Sequence, residues 1–195
     1  MTKKQLITIG LGLAKKNGRP YFYGFSENNI DEKWLSKVTI ADLMETLKKE
    51  FLTTGPRPES EEAQQAYDEW QHHESERMAV LQKARNEFPC KNEQTRQHIQ
   101  LSSWDICLVY NGKCLASFLS SGSVSIKDSF FGLYNEESRL GLDLVSDFIS
   151  ARPNHHELRL DCKDYEKHLA ASIQAEKKFE EIALQDYIKK CVEKK

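Results

Sequence analysis

The sequence has 195 residues, 39% of them hydrophobic and 30% charged, with 28 basic side chains against 30 acidic and a net charge of −2. That is enough chain for one good core. Its aromatic content (10%) and low net charge exclude a disordered chain, and the even balance of charge argues against a dedicated polyanion binder or an acidic mimic of nucleic acid.

The five cysteines, Cys90, Cys107, Cys114, Cys162 and Cys191, form no C-x-x-C pair. They read as free thiols of a cytoplasmic protein. The apolar stretch Leu6 to Ala14 is interrupted by Thr8, Gly10 and Gly12 and followed by Lys15-Lys16. It is too short to cross a membrane and lacks the small-residue cleavage site of a secretory leader.

In chain order, Ile7, Ile9, Leu11 and Leu13 alternate with smaller residues, which is strand periodicity. A turn at Lys15-Lys16-Asn17-Gly18 and the aromatic run Tyr21-Phe22-Tyr23-Gly24-Phe25 then suggest a hairpin. The rival reading is a helix from a Thr2 cap to a Gly18 stop, against which two interior glycines weigh roughly 1 kcal/mol each. Residues 26–38 read as loop with a turn of helix near Trp34. A helix over Ile40–Thr53 follows, capped by Thr39, with Ile40, Leu43, Met44, Leu47 and Phe51 on its apolar stripe.

Thr54-Gly55-Pro56-Arg57-Pro58 breaks the chain. A long helix over about 59–88 comes next, acidic in its first half and basic in its second, as the macrodipole favours. At 1.5 Å per residue it would span on the order of 45 Å. Its stripe is thin, and it is longer than a small domain is wide, so it projects, breaks near His72-His73 or packs on a partner.

Asn111-Gly112 between Trp104–Tyr110 and Lys113–Leu119 is a strong hairpin signal. A plain two-residue loop would set Trp104 opposite Leu119 and leave both faces largely apolar, as in strands covered on both sides. Val124–Ile126 and Phe130–Tyr134 are candidate short strands. Glu136–Ala151 reads as a helix, His156–Leu160 as a one-sided strand, and about 163–192 as a second long helix. The expected fold is a single α+β domain over 1–195, with a mainly antiparallel sheet of four to six strands and four helices.

Candidate chemistry is sparse. Gly10-Leu11-Gly12 lacks the third small residue and the following helix of a dinucleotide loop, so no cofactor is expected. Asp161-Cys162-Lys163 at a strand end, with Asp143 and Asp147 upstream, has the composition of a D…D-x-K magnesium nuclease site. The same triplet recurs at Asp31/Lys33, Glu176/Lys178 and Glu193/Lys195, as it must in a chain so rich in charge. Adjacent histidines at 72–73 and 155–156 point apart on any regular backbone and do not chelate as pairs, so no metal site is expected. Cys107 and Cys114 read as small core residues.

Lys15, Lys16, Arg19 and Tyr21 combine cations with an aromatic ring, as nucleic-acid-binding surfaces do. Tyr67, Trp70 and Met78 on the long helix are candidate anchors for another protein or a second copy of the chain. With no convergent catalytic signature, the preferred expectation is a non-catalytic protein-binding protein. The alternatives are a magnesium-dependent hydrolase and a nucleic-acid-binding module.

Overall fold

The structure is a computed structural model that describes residues 1–27, 29–119, 121–131 and 136–193. The fold is α+β. Its elements are α1 (Lys3–Lys16), α2 (Glu32–Lys37), α3 (Ile40–Thr53), α4 (Glu61–Glu87), α5 (Glu93–Gln97), β1 (Ile99–Leu101), β2 (Asp105–Tyr110), β3 (Lys113–Leu119), β4 (Val124–Ile126), α6 (Asp128–Phe131), α7 (Glu136–Ser150) and α8 (His155–Glu193). They form two compact units, one of Met1–Asp68 with Ala175–Lys195 and one of Glu69–Gln174. Segments of α4 and α8 belong to each. No described helix is long and apolar enough to cross a membrane.

In the first unit the expected N-terminal hairpin is replaced by α1. Thr2 and Gln5 close a capping box at its start. Leu6, Ile7, Ile9, Leu11, Leu13 and Ala14 are all buried, while Lys4, Thr8 and Gly12 are exposed. An exposed stripe recurring every four residues is helical, and the alternation that imitates a strand arises because the rest of the circumference is buried. The following aromatic run makes only a tight turn. Phe22 and Phe25 exchange backbone hydrogen bonds of 2.9 Å across Tyr23 and Gly24, both at positive φ, and both phenylalanine rings are buried. α3 packs on α1, bringing Leu43, Leu47 and Phe51 into the core. Its cap is the expected Thr39, in a reciprocal box with Asp42.

In the second unit the four strands run in the order β1-β2-β3-β4, all antiparallel. Asn111 and Gly112 adopt the positive φ that the hairpin turn requires. Tyr110 pairs with Lys113 and Val109 with Cys114 as expected, but a bulge follows at Leu108/Val109, so Leu108 pairs with Ala116 and Asp105 with Leu119. The bulge corrects the expected face assignment. Ile99, Leu101, Ile106, Leu108, Ala116 and Phe118 now share one face, while Gln100, Cys107, Ser117 and Ser125 form a small, polar row on the other.

The apolar face packs with Leu81 and Phe88, with Leu144 and Phe148 of α7, and with Leu158 of α8. Phe88, Phe118 and Phe148 form a triangle of rings, Phe148 lying 5.1 Å from each of the others and those two 5.8 Å apart. The strand expected over 156–160 is instead the first turns of α8, opened by Asn154, whose side-chain oxygen accepts from the backbone N–H of His156 at 3.0 Å. Leu158, Asp161, Cys162 and Tyr165 are buried while Leu160 is 49% exposed, so the spacing is helical. Phe130 and Phe131 lie in α6 rather than in a strand, and the remainder of the strand expected over 130–134 falls outside the described residues.

Candidate functional site

The basic residues near the N-terminus are brought together only in part. Lys15 and Lys16 end α1, and Arg19 and Tyr21 follow in the loop. Lys15, Arg19 and Tyr21 line one cavity of about 520 Å³. Lys16 turns elsewhere, its Nζ 5.3 Å from the centroid of the Tyr187 ring, and lines a separate cavity of about 590 Å³ with Phe51 and Arg57. Lys15 is 3.5 Å from Glu27, and Arg19 is 3.0 Å from the buried carboxylate of Glu50. Those acids offset part of the charge a phosphate backbone would meet.

The anchors expected on α4 have unequal surroundings. Tyr67 lies in the first unit, where its ring packs edge-on against Phe179 at 5.2 Å. Trp70 and Met78 lie in the second unit, Trp70 half-buried and Met78 44% exposed.

Asp147 and Asp161 of the D…D-x-K reading, and Asp105 at the start of β2, are engaged separately. Asp105 accepts from the Ser102 hydroxyl. Asp147 accepts from the backbone N–H groups of Lys91 and Asn92, each at 2.9 Å. Asp161, 6% exposed, accepts from Lys83 at 2.8 Å. Because 161–163 is helical, residues two apart are rotated by about 200°. Asp161 and Lys163 accordingly open into different cavities.

The most distinctive surface of the second unit involves a residue that the sequence pattern assigns to the hairpin face. Trp104 is 72% exposed. It sits in the β1–β2 turn, where Ser102 Oγ accepts from the backbone N–H groups of Trp104 (3.3 Å) and Asp105 (3.2 Å). That fixed turn projects the indole over a cavity of about 340 Å³ lined by Arg159, Cys162, Lys163 and Glu166 of α8. Arg159 and Lys163 are one helical turn apart and share a face. Neither is ion-paired with another described residue. At the floor, burial pushes the Cys162 thiol up to about 12, with Asp105 and Asp161 adding to the shift. It is a protonated wall rather than a nucleophile at neutral pH. The cleft thus offers an aromatic plate, two cations without ion-pair partners among the described residues, and one acid.

Among the described residues one set of metal-capable side chains converges, His73, Glu76 and His168. His168 lies far from His73 in sequence, and the only local signal is H-x-x-E on a helix, a spacing that places both groups on one face. Comparison with protein-family models, with characterised proteins and with solved structures finds no match to this chain.

Proposed function

We propose that this chain is a non-catalytic, cytoplasmic protein-binding protein, of the inhibitor, immunity-factor or complex-subunit type, and that the Trp104 cleft grips an acidic element of its partner. The observation that carries this reading is the pairing of a 72% exposed tryptophan with Arg159 and Lys163 around one cleft. Keeping an indole in water forgoes roughly 25 cal/mol for each Å² of apolar surface left unburied. Tryptophan and arginine are also the side chains that most often dominate an interface. Two cations without ion-pair partners favour carboxylates opposite them, and Glu166 on the rim disfavours a continuous polyanion. Five free cysteines support a reducing compartment.

The test is affinity capture from the native source with wild-type protein, Trp104→Ala and the double variant Arg159→Glu/Lys163→Glu. A partner retained by wild type and lost from both variants is expected. Identical captured sets would refute the reading. Light scattering of the purified chain distinguishes self-association.

A second reading, nucleic-acid binding, rests on Lys15, Arg19 and Tyr21 sharing one cavity. It requires affinity for a single-stranded oligonucleotide that falls steeply with salt. Salt-independent or absent binding removes it.

A further inference from the structure

Two helices of the second unit bring three metal-capable side chains to one point. His73 and Glu76 stand three residues apart on α4, and His168 approaches from α8. Glu76 Oε2 is 2.9 Å from His168 Nδ1 and 3.8 Å from His73 Nδ1, and the three ligand atoms all lie within 4.8 Å of one another. Ligand atoms around a tetrahedral zinc ion stand about 3.3 Å apart, from metal–ligand distances near 2.0–2.2 Å. The two measured separations bracket that value.

The surroundings leave these groups to one another. His73 Nδ1 is buried and has no hydrogen-bond partner, since 3.8 Å is too long for such a bond. A buried imidazole nitrogen without a partner is costly, and a cation between it and Glu76 would satisfy both. The neighbouring Arg77 does not neutralise Glu76. It is committed to Glu74 and donates to the Tyr165 hydroxyl at 2.5 Å. Glu74 in turn accepts from Ser172 at 3.2 Å. The third histidine of the neighbourhood, His72, is 65% exposed and faces the other oxygen of Glu76 at 3.6 Å.

We infer that His73, Glu76 and His168 form a binding site for a divalent late transition metal, zinc first, that ties α4 to α8. Two imidazoles and one carboxylate suit zinc and its neighbours, whereas magnesium and calcium prefer shells of oxygen ligands. The side chains of His168 (19% exposed) and His73 (26%) form the inner wall, and Glu76 (41%) opens to solvent. The remaining coordination position therefore falls to water. Metal bound across two helices stabilises the folded chain by mass action, because the unfolded chain holds no such preformed site.

The full chain, stripped of metal by chelator and kept reduced, is titrated with Zn²⁺ by calorimetry and with Co²⁺ by absorption spectroscopy. One equivalent of each is expected to bind, the cobalt spectrum showing a low-symmetry site without a sulfur charge-transfer band, which excludes the cysteines. The thermal midpoint should rise by roughly 5–10 °C at a hundredfold excess over Kd. Glu76→Gln and His168→Gln should lose more than the roughly 10–100-fold that removal of an outer partner of a metal ligand costs. His72→Ala should bind as wild type does. Absence of stoichiometric binding by the folded wild-type chain, unchanged affinity in both ligand variants, or a thiolate signature with cobalt would each overturn the proposal.

Discussion

Gly10 of α1 lies directly beneath the ring of Phe22, so closely that a Cβ at residue 10 would stand 2.4 Å from two of the ring carbons. Two residues on, a Cβ at Gly12 would meet nothing within 4 Å, and that position is exposed. Alanine at either site gains the same helix propensity, roughly 1 kcal/mol. Only at residue 10 must a buried ring give way, at a cost of about 1–3 kcal/mol. Gly12→Ala should therefore raise the unfolding free energy by about 1 kcal/mol, and Gly10→Ala should fall below it by about 1–3 kcal/mol. Urea titration of the two variants measures the difference, and equal stability would mean that the ring does not pack there.

That contact also explains why α1 is hard to read from sequence. Two glycines inside a helix look like breakers, and the close approach of Phe22 that favours Gly10 comes from a loop. What was legible was local: the Thr39 cap and the limits of α3 and the Asn111-Gly112 turn, whereas the Thr2 cap of α1 belongs to the rival of the preferred hairpin. What was not legible depended on tertiary pairing. Leu158, Asp161, Cys162 and Tyr165 form the buried stripe that opens α8, but a charged residue in that stripe conceals it until Lys83 is seen opposite. The bulge at Leu108/Val109 likewise has no sequence mark, since both registers place apolar residues on the core face. Trp104 reads as a core residue for the same reason, and His168 joins the other two ligands only through helix packing.

The Asp161–Lys83 pair should be asymmetric. The Asp161 side chain is 9% exposed and that of Lys83 55%. Removing the lysine leaves a buried carboxylate without its partner, so Lys83→Met should cost about 1–3 kcal/mol in urea titrations. The hydrogen bond from Lys83 to Asp161 holds the ammonium above the ordinary lysine range, with burial opposing it and Glu87 adding to it. A raised lysine contributes its stability fully below the unfolded value near 10.4 and loses it as pH climbs through the folded value. Wild type should thus weaken above about pH 10 by a step that Lys83→Met lacks. Parallel alkaline profiles would contradict this.

The acid side has its own reporter. Burial alone would raise the Asp147 carboxyl, but the backbone N–H groups of Asn92 and Lys91 outweigh it and hold the group below its usual range. Glu74 is lowered too, chiefly by its hydrogen bond from Arg77. A depressed carboxyl contributes stability above its unfolded value, near 4, and loses it as pH falls through the lower folded value. Asp147→Asn should cost about 1–2 kcal/mol at neutral pH and should flatten the decline between neutral and acid conditions. Chemical denaturation at several pH values tests this, and an Asp147→Asn profile parallel to wild type would count against it.

Trp104 separates binding from folding. A side chain 72% exposed on a turn that Ser102 fixes through the backbone contributes little to the core, so Trp104→Ala should change the unfolding free energy by no more than about 0.5 kcal/mol. The same truncation should remove the anchor of the proposed interface, a loss of about 2 kcal/mol or more in binding if the indole is buried by the partner. Iodide quenching supplies a second readout. Trp34 is 44% exposed and Trp70 half-buried, so Trp104 should dominate the accessible fluorescence, and Trp104→Phe should remove most of the quenchable signal. Bound partner should protect that signal in wild type. Quenching by a cation such as caesium should be weaker than by iodide, because Arg159 and Lys163 attract the anion to the same cleft. Equal quenching by both ions would mean that the local field is not positive, and the acidic partner would lose its electrostatic basis.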